Sequence, residues 1–152
     1  FRSMVPPVVT EVRTLGDPAS EQGGAARHMV AMRFDSGLFF ANAVVFEKAV
    51  MKLERNHPEL EHVLVIANGI NHADASAVEM LRNLSRHLRE CGITLAFSGV
   101  RPRVMALLER TGLAVDIGEE NFFEDYPSAY DALRERRRDP GPDTAEAGVA
   151  AA

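Results

Sequence analysis

The chain has 152 residues, enough for one domain with a full hydrophobic core. Its 46% hydrophobic and 26% charged residues are ordinary for a soluble globular protein. A formal net charge of −5 argues against a nucleic-acid binder, because phosphate contacts need a concentrated basic face.

In chain order, residues 5–13 (VPPVVTEVR) read as an opening strand, and Pro6 and Pro7 place its start at a sheet edge. Residues 16–24 are polar and glycine-rich, a loop. Residues 28–34 alternate, with Val30, Met32 and Phe34 on one face and Ala31 and Arg33 on the other. That pattern predicts a half-buried strand forming a hairpin with the first. Asp35-Ser36-Gly37 is turn chemistry. Leu38-Phe39-Phe40 is an apolar patch, either core or an exposed interaction surface. Asn42 then suits the N-cap of a helix running to about Asn56. Phe46, Ala49, Val50 and Leu53 would face inward, and Pro58 ends it.

Residues 63–67 form a continuous apolar run, as expected of a central parallel strand covered on both faces. Residues 93–97 form a second. Between them a helix is predicted from about Ser76 to Glu90, with Ala77, Met80, Leu81, Leu84, Leu88 and Cys91 inward. The three elements make a βαβ unit with a right-handed crossover. Pro102 sits at a first helical position and Gly112 at a C′ position, bracketing a short helix. Pro127 opens a last helix, with Ala129, Tyr130 and Leu133 inward. From Arg134 onward the chain turns basic, then rich in Pro, Ala and Gly, and disorder is predicted there. The whole reads as one α/β domain with a small mixed sheet.

The single cysteine, Cys91, rules out an intramolecular disulfide and gives no support to an oxidising compartment. At the inward end of its helix it reads as a buried small hydrophobe. No secretory leader is visible, and no run approaches the ~18 apolar residues that span a bilayer. Export and a membrane span within this chain are not expected.

Catalytic motifs are missing. Ser76 lies on a strand-to-helix turn, but Asp74, Ala75, Ala77 and Val78 surround it and the glycines of a nucleophile elbow are absent. No phosphate-binding glycine loop occurs. Of the five histidines, His57 and His62 flank Pro58 off any single helix face. His72 has only Asp74 nearby, whereas zinc wants three or four ligands. His28 and His87 read as surface or strand-edge residues. No catalytic residue, metal site or cofactor is therefore assigned, and the chain is expected not to be an enzyme. Arg101 and Arg103 lead into a helix N-terminus, where an anion or nucleotide phosphate can rest. Ser76 and Glu79 match a capping box, with the serine as N-cap. Asp74 is an acidic group favourable at the same helix start. An exposed Ser76 hydroxyl is also a phosphorylation candidate, and the helix dipole would tolerate the added charge.

The segment 63–91, centred on Asp74-Ala75-Ser76-Ala77, resembles the signature of STAS domains. These include anti-sigma factor antagonists and the cytoplasmic tails of SulP (sulfate permease) anion transporters. The transporter branch is the more similar. Its strand and loop resemble residues 33–43 (RFDSGLFFANA), and its later motifs resemble 92–96 (GITLA), 107–113 (LLERTGL) and 117–123 (IGEENFF). Antagonists usually read Asp-Ser-Ser-Gly with the phosphorylated residue third; here Ser76 is third, and Ala75 and Ala77 replace the first serine and the glycine.

The resemblance implies a STAS-like small mixed β-sheet of 4–5 strands packed with about 4–5 helices. It implies a linker or membrane-domain junction at 1–7, the STAS domain at 8–137 and a disordered tail at 138–152. The module would sit on the cytoplasmic side of the membrane and regulate transport or assembly. Its implied partners are its own transmembrane transporter domain, a second protomer, or a soluble regulatory protein or nucleotide. The alternative is a free-standing anti-sigma factor antagonist switched by phosphorylation at Ser76.

Overall fold

The computed structural model describes residues 9–14, as backbone, and 28–136. Among these residues five strands form one sheet in sequence order: β1 (Val9–Thr14), β2 (Met29–Phe34), β3 (His62–Ile66), β4 (Thr94–Ser98) and β5 (Phe122–Phe123). β1 pairs antiparallel with β2, with an irregularity between Val9 and Glu11. The remaining pairs are parallel, with Val30 beside Val63 and Val63 beside Leu95. Among the described residues there are five α-helices: α1 (Phe40–Asn56), α2 (Ala75–Glu90), α3 (Pro102–Arg110), α4 (Leu113–Ile117) and α5 (Tyr126–Glu135). The mixed α/β architecture expected from the sequence is the one observed.

Parallel strands need crossover connections: α3 and α4 lie between β4 and β5, and the two single-helix crossovers are α1 and α2. Both pack on one sheet face. Phe46, Val50 and Leu53 of α1 join Ala77, Leu81, Leu84 and Leu88 of α2 over Val30, Met32, Phe34, Val63, Val65, Leu95 and Phe97. The opposite face carries a smaller cluster, in which Ala129 and Leu133 of α5 cover Met29, Ala31, Leu64 and Ala96. β2 is therefore not half-buried: Ala31 is as fully enclosed as Val30, because α5 closes the second layer.

Other expectations are also corrected. Phe39, not Asn42, is the N-cap of α1, and it makes no side-chain cap. The Asn42 amide instead donates to the Gly37 carbonyl at 2.9 Å and to Ser36 Oγ at 3.1 Å, bracing the turn from within the helix. Arg134 is not the start of a structureless tail; it lies in the last turn of α5, its guanidinium 5.6 Å from the centre of the Tyr130 ring. Helix α4, a 3-10 turn at Glu119–Asn121 and the two-residue β5 lie outside the elements that the sequence pattern predicts. The opening prolines, the 16–24 loop and the 138–152 tail lie outside the described residues.

Candidate recognition edge at the helix starts

The loops following β2, β3 and β4 meet at the carboxyl ends of the parallel strands, where open α/β sheets place their sites. Arg33 Nε pairs with Asp35 Oδ2 at 2.9 Å. Gly69 passes so close to this turn that a Cβ there would stand 2.8 Å from the Asp35 Cα. Leu38 N–H donates to the His72 carbonyl at 2.8 Å, and Asp74 N–H donates to the Leu38 carbonyl at 3.1 Å. These two bonds make an isolated parallel bridge between Leu38 and Ala73. The Phe39 and His72 rings lie 5.3 Å apart beside it. Arg101 Nε donates to the Asn68 carbonyl at 2.9 Å, tying the third loop to the second.

The bridge sets the helix start. Asp74 is held extended, and its Oδ1 accepts the Ala77 N–H at 3.0 Å, so Asp74 is the N-cap of α2. The capping-box reading of Ser76 is thereby overturned. Ser76 lies inside the first turn, exposed, with its hydroxyl not needed for capping.

The apolar patch splits. Leu38 is buried at 1% exposure, while Phe39 and Phe40 stand out at 43% and 73%. Phe40, Ala43, Val44 and Glu47 of α1 face Ala75, Ser76, Glu79 and Met80 of α2 across an open groove of about 460 Å³. Ser76 thus lies in the wall of an apolar groove between two helix N-termini. No local motif marks Phe40 and Val44 as groove-lining residues. The signal available was that their positions fall off the inward stripe of Phe46, Val50 and Leu53.

The other candidate residues singled out in the sequence do not line the groove. Arg101 caps the start of α3 by backbone alone, and both Arg101 and Arg103 are exposed there. His28 is not a surface residue; it is 1% exposed, with its ring 5.5 Å from that of His62. His62 is buried too, and its Nε2–H donates to the Arg136 carbonyl at 2.6 Å. Burial holds the His62 imidazole below its ordinary pKa, against the raising effect of that hydrogen bond. Cys91 is exposed rather than buried, because α2 ends one residue before it. It lies near His87 and Glu54 at the other end of the helices.

Comparison with known proteins bears on the fold. Residues 20–129 match the family model described as the STAS domain. A probable sulfate transporter of Arabidopsis thaliana is 30% identical over 105 aligned positions, with coverage of 62% of this chain and 16% of that protein. Among solved structures, a sulfate transporter family protein from Wolinella succinogenes superposes with a TM-score of 0.61 at 21% identity, covering 78% of this chain and 97% of that one. The Bacillus anti-sigma factor antagonist SpoIIAA in its unphosphorylated form gives a TM-score of 0.53 at 14% identity, covering 72% and 93%. At these identities the structural likenesses show a shared fold. The chain spans only 15–20% of the length of the curated transporters it matches.

Proposed function

The chain belongs to the STAS domain family, and from that premise we propose that it is the cytoplasmic regulatory domain of a SulP-type anion transporter. In this reading it is a non-catalytic interaction module, and its partner is the transporter's own transmembrane domain. The observation that carries the reading is Phe40, a large apolar side chain 73% exposed at the lip of the α1–α2 groove. An isolated exposed apolar residue is unremarkable, but Phe39, Phe40, Val44 and Val45 lie together on one helix start. The sulfate transporters among the sequence relatives support the assignment. Arg101 and Arg103, exposed at the start of α3, are the proposed contacts for an anion or nucleotide phosphate.

The coding sequence upstream of residue 1 is the cheapest test. An open reading frame that continues into many apolar segments is the expected result. A frame opening near Met4 would refute the transporter assignment. Given such a transporter, Phe40→Asp should alter transport in vesicles while leaving the thermal midpoint of the isolated chain unchanged. Unaltered transport would remove the groove from the proposal.

A second reading has its own observation: the exposed Ser76 hydroxyl is released from capping by Asp74. Phosphorylation there would add roughly −1.5 to −2 of charge to the groove wall without removing the cap. A free-standing antagonist would then lose partner binding in Ser76→Asp, and unchanged binding would count against it.

A further inference from the structure

The helices α1 and α2 carry the groove at their N-termini and a separate cluster at their C-termini. Glu54 comes from the last turn of α1, His87 from the last turn of α2, and Cys91 is the C-cap of α2. Glu54 Oε1 lies 3.1 Å from His87 Nε2, and Cys91 Sγ lies 3.8 Å from the same nitrogen. One donor atom from each residue falls within 4.8 Å of the other two. These three form the described residues' only such group of His, Cys and acidic side chains.

A tetrahedral zinc ion with ordinary bond lengths holds N and O donors about 3.3 Å apart and N and S donors about 3.6 Å apart. The observed separations differ from these by only a few tenths of an ångström. The third pair, a Glu54 carboxylate oxygen and Cys91 Sγ, lies within 4.8 Å, so side-chain rotation brings the three donors toward one ion. The spacing of His87 and Cys91, four residues apart, puts both on one face of α2. Both helices also end here, and the negative ends of their dipoles favour a cation.

We propose that Glu54, His87 and Cys91 form a three-ligand site for a divalent transition-metal ion of the zinc class. A thiolate, imidazole and carboxylate set selects a borderline ion over magnesium or calcium. Binding releases the Cys91 thiol proton to solvent and leaves the thiolate as ligand. The fourth position faces outward, since Cys91 is exposed, and takes water or a ligand from a partner. The ion joins the ends of α1 and α2, the same two helices whose starts form the groove.

Cobalt(II) titrated into the reduced chain is the test. One cobalt per chain should bind, with a thiolate-to-cobalt charge-transfer band and the strong visible bands of a four-coordinate ion, and zinc should displace it. Cys91→Ser should abolish the charge-transfer band. His87→Gln and Glu54→Gln should each weaken zinc binding by about 10-fold or more, measured by competition with a chromophoric chelator. His72→Gln, at the opposite end of the helices, should bind as the unsubstituted chain does. Zinc should raise the thermal midpoint of the unsubstituted chain and leave that of Cys91→Ser unmoved. Far-UV circular dichroism establishes that each variant is folded. A cobalt spectrum without the thiolate band, or zinc affinity unchanged in His87→Gln, overturns the proposal.

Discussion

Asp74 and Ser76 stand two residues apart and do different work. The Asp74 carboxylate satisfies the Ala77 N–H, one of the four backbone donors that any helix start leaves without a partner. Removing such a cap costs about 1 kcal/mol. Asp74→Ala should therefore lower the stability of the chain by about 1 kcal/mol in urea unfolding. Ser76→Ala should stay within about 0.5 kcal/mol, because the hydroxyl is exposed and outside the cap. The reverse ranking would restore Ser76 as the cap. The local string misleads here because Ser76-Ala77-Val78-Glu79 has the spacing of a capping box, while Asp74-Ala75-Ser76-Ala77 offers an equally good start. What decides between them is the hydrogen bond from Asp74 N–H to the Leu38 carbonyl. That bond comes from a loop 36 positions earlier, and no local pattern contains it.

Whole elements were more legible than their ends or their surroundings. The long periodic helices and the two apolar strands lie within a residue or two of where their patterns put them, since burial of one stripe or of both faces is written into each. Short elements carry too few residues for a period, which is why α4 and β5 escaped. β2 shows a different limit. Alternation of Val30, Met32 and Phe34 with Ala31 and Arg33 looks like one buried face, yet Ala31 is small enough to fit beneath a helix from the far end of the chain. The site divided in the same way. The turn at 68–76 and the helix start after it were readable, but the facing groove wall from Phe40 to Glu47 and the approach of Glu54 to His87 depend on how α1 settles against α2. The second layer over β2 rests on few residues. Leu133 is fully buried among Met29, Ala31, Leu64 and Ala96, so Leu133→Ala should cost about 2–5 kcal/mol. Urea unfolding measures this, and a loss under about 1 kcal/mol would mean that α5 docks only weakly.

Across the molecule, His62 links the sheet to the last helix. It opens β3, stacks edge-on against His28, and donates from Nε2 to the carbonyl of Arg136, just past α5. Desolvation depresses its folded pKa below the ordinary histidine value of 6.5, and the neighbouring His28 acts in the same direction. The Arg136 carbonyl and the Glu61 carboxylate pull the other way without reversing the shift. The sign follows from linkage. Between the depressed folded pKa and 6.5 the unfolded chain binds a proton that the folded chain refuses, so stability rises with pH in that window. The contribution is fully present above pH 6.5, and it is lost as pH falls from there toward the folded pKa. Protonation would place a charge in the space between β3 and the end of α5, so the second layer should loosen first. The urea midpoint should fall from about pH 7.5 to about pH 5.5. In His62→Gln, whose amide can still donate to the Arg136 carbonyl, that fall should be shallower. Equal slopes in the two proteins would show that the acid sensitivity arises elsewhere, and would remove His62 from the coupling between sheet and terminal helix.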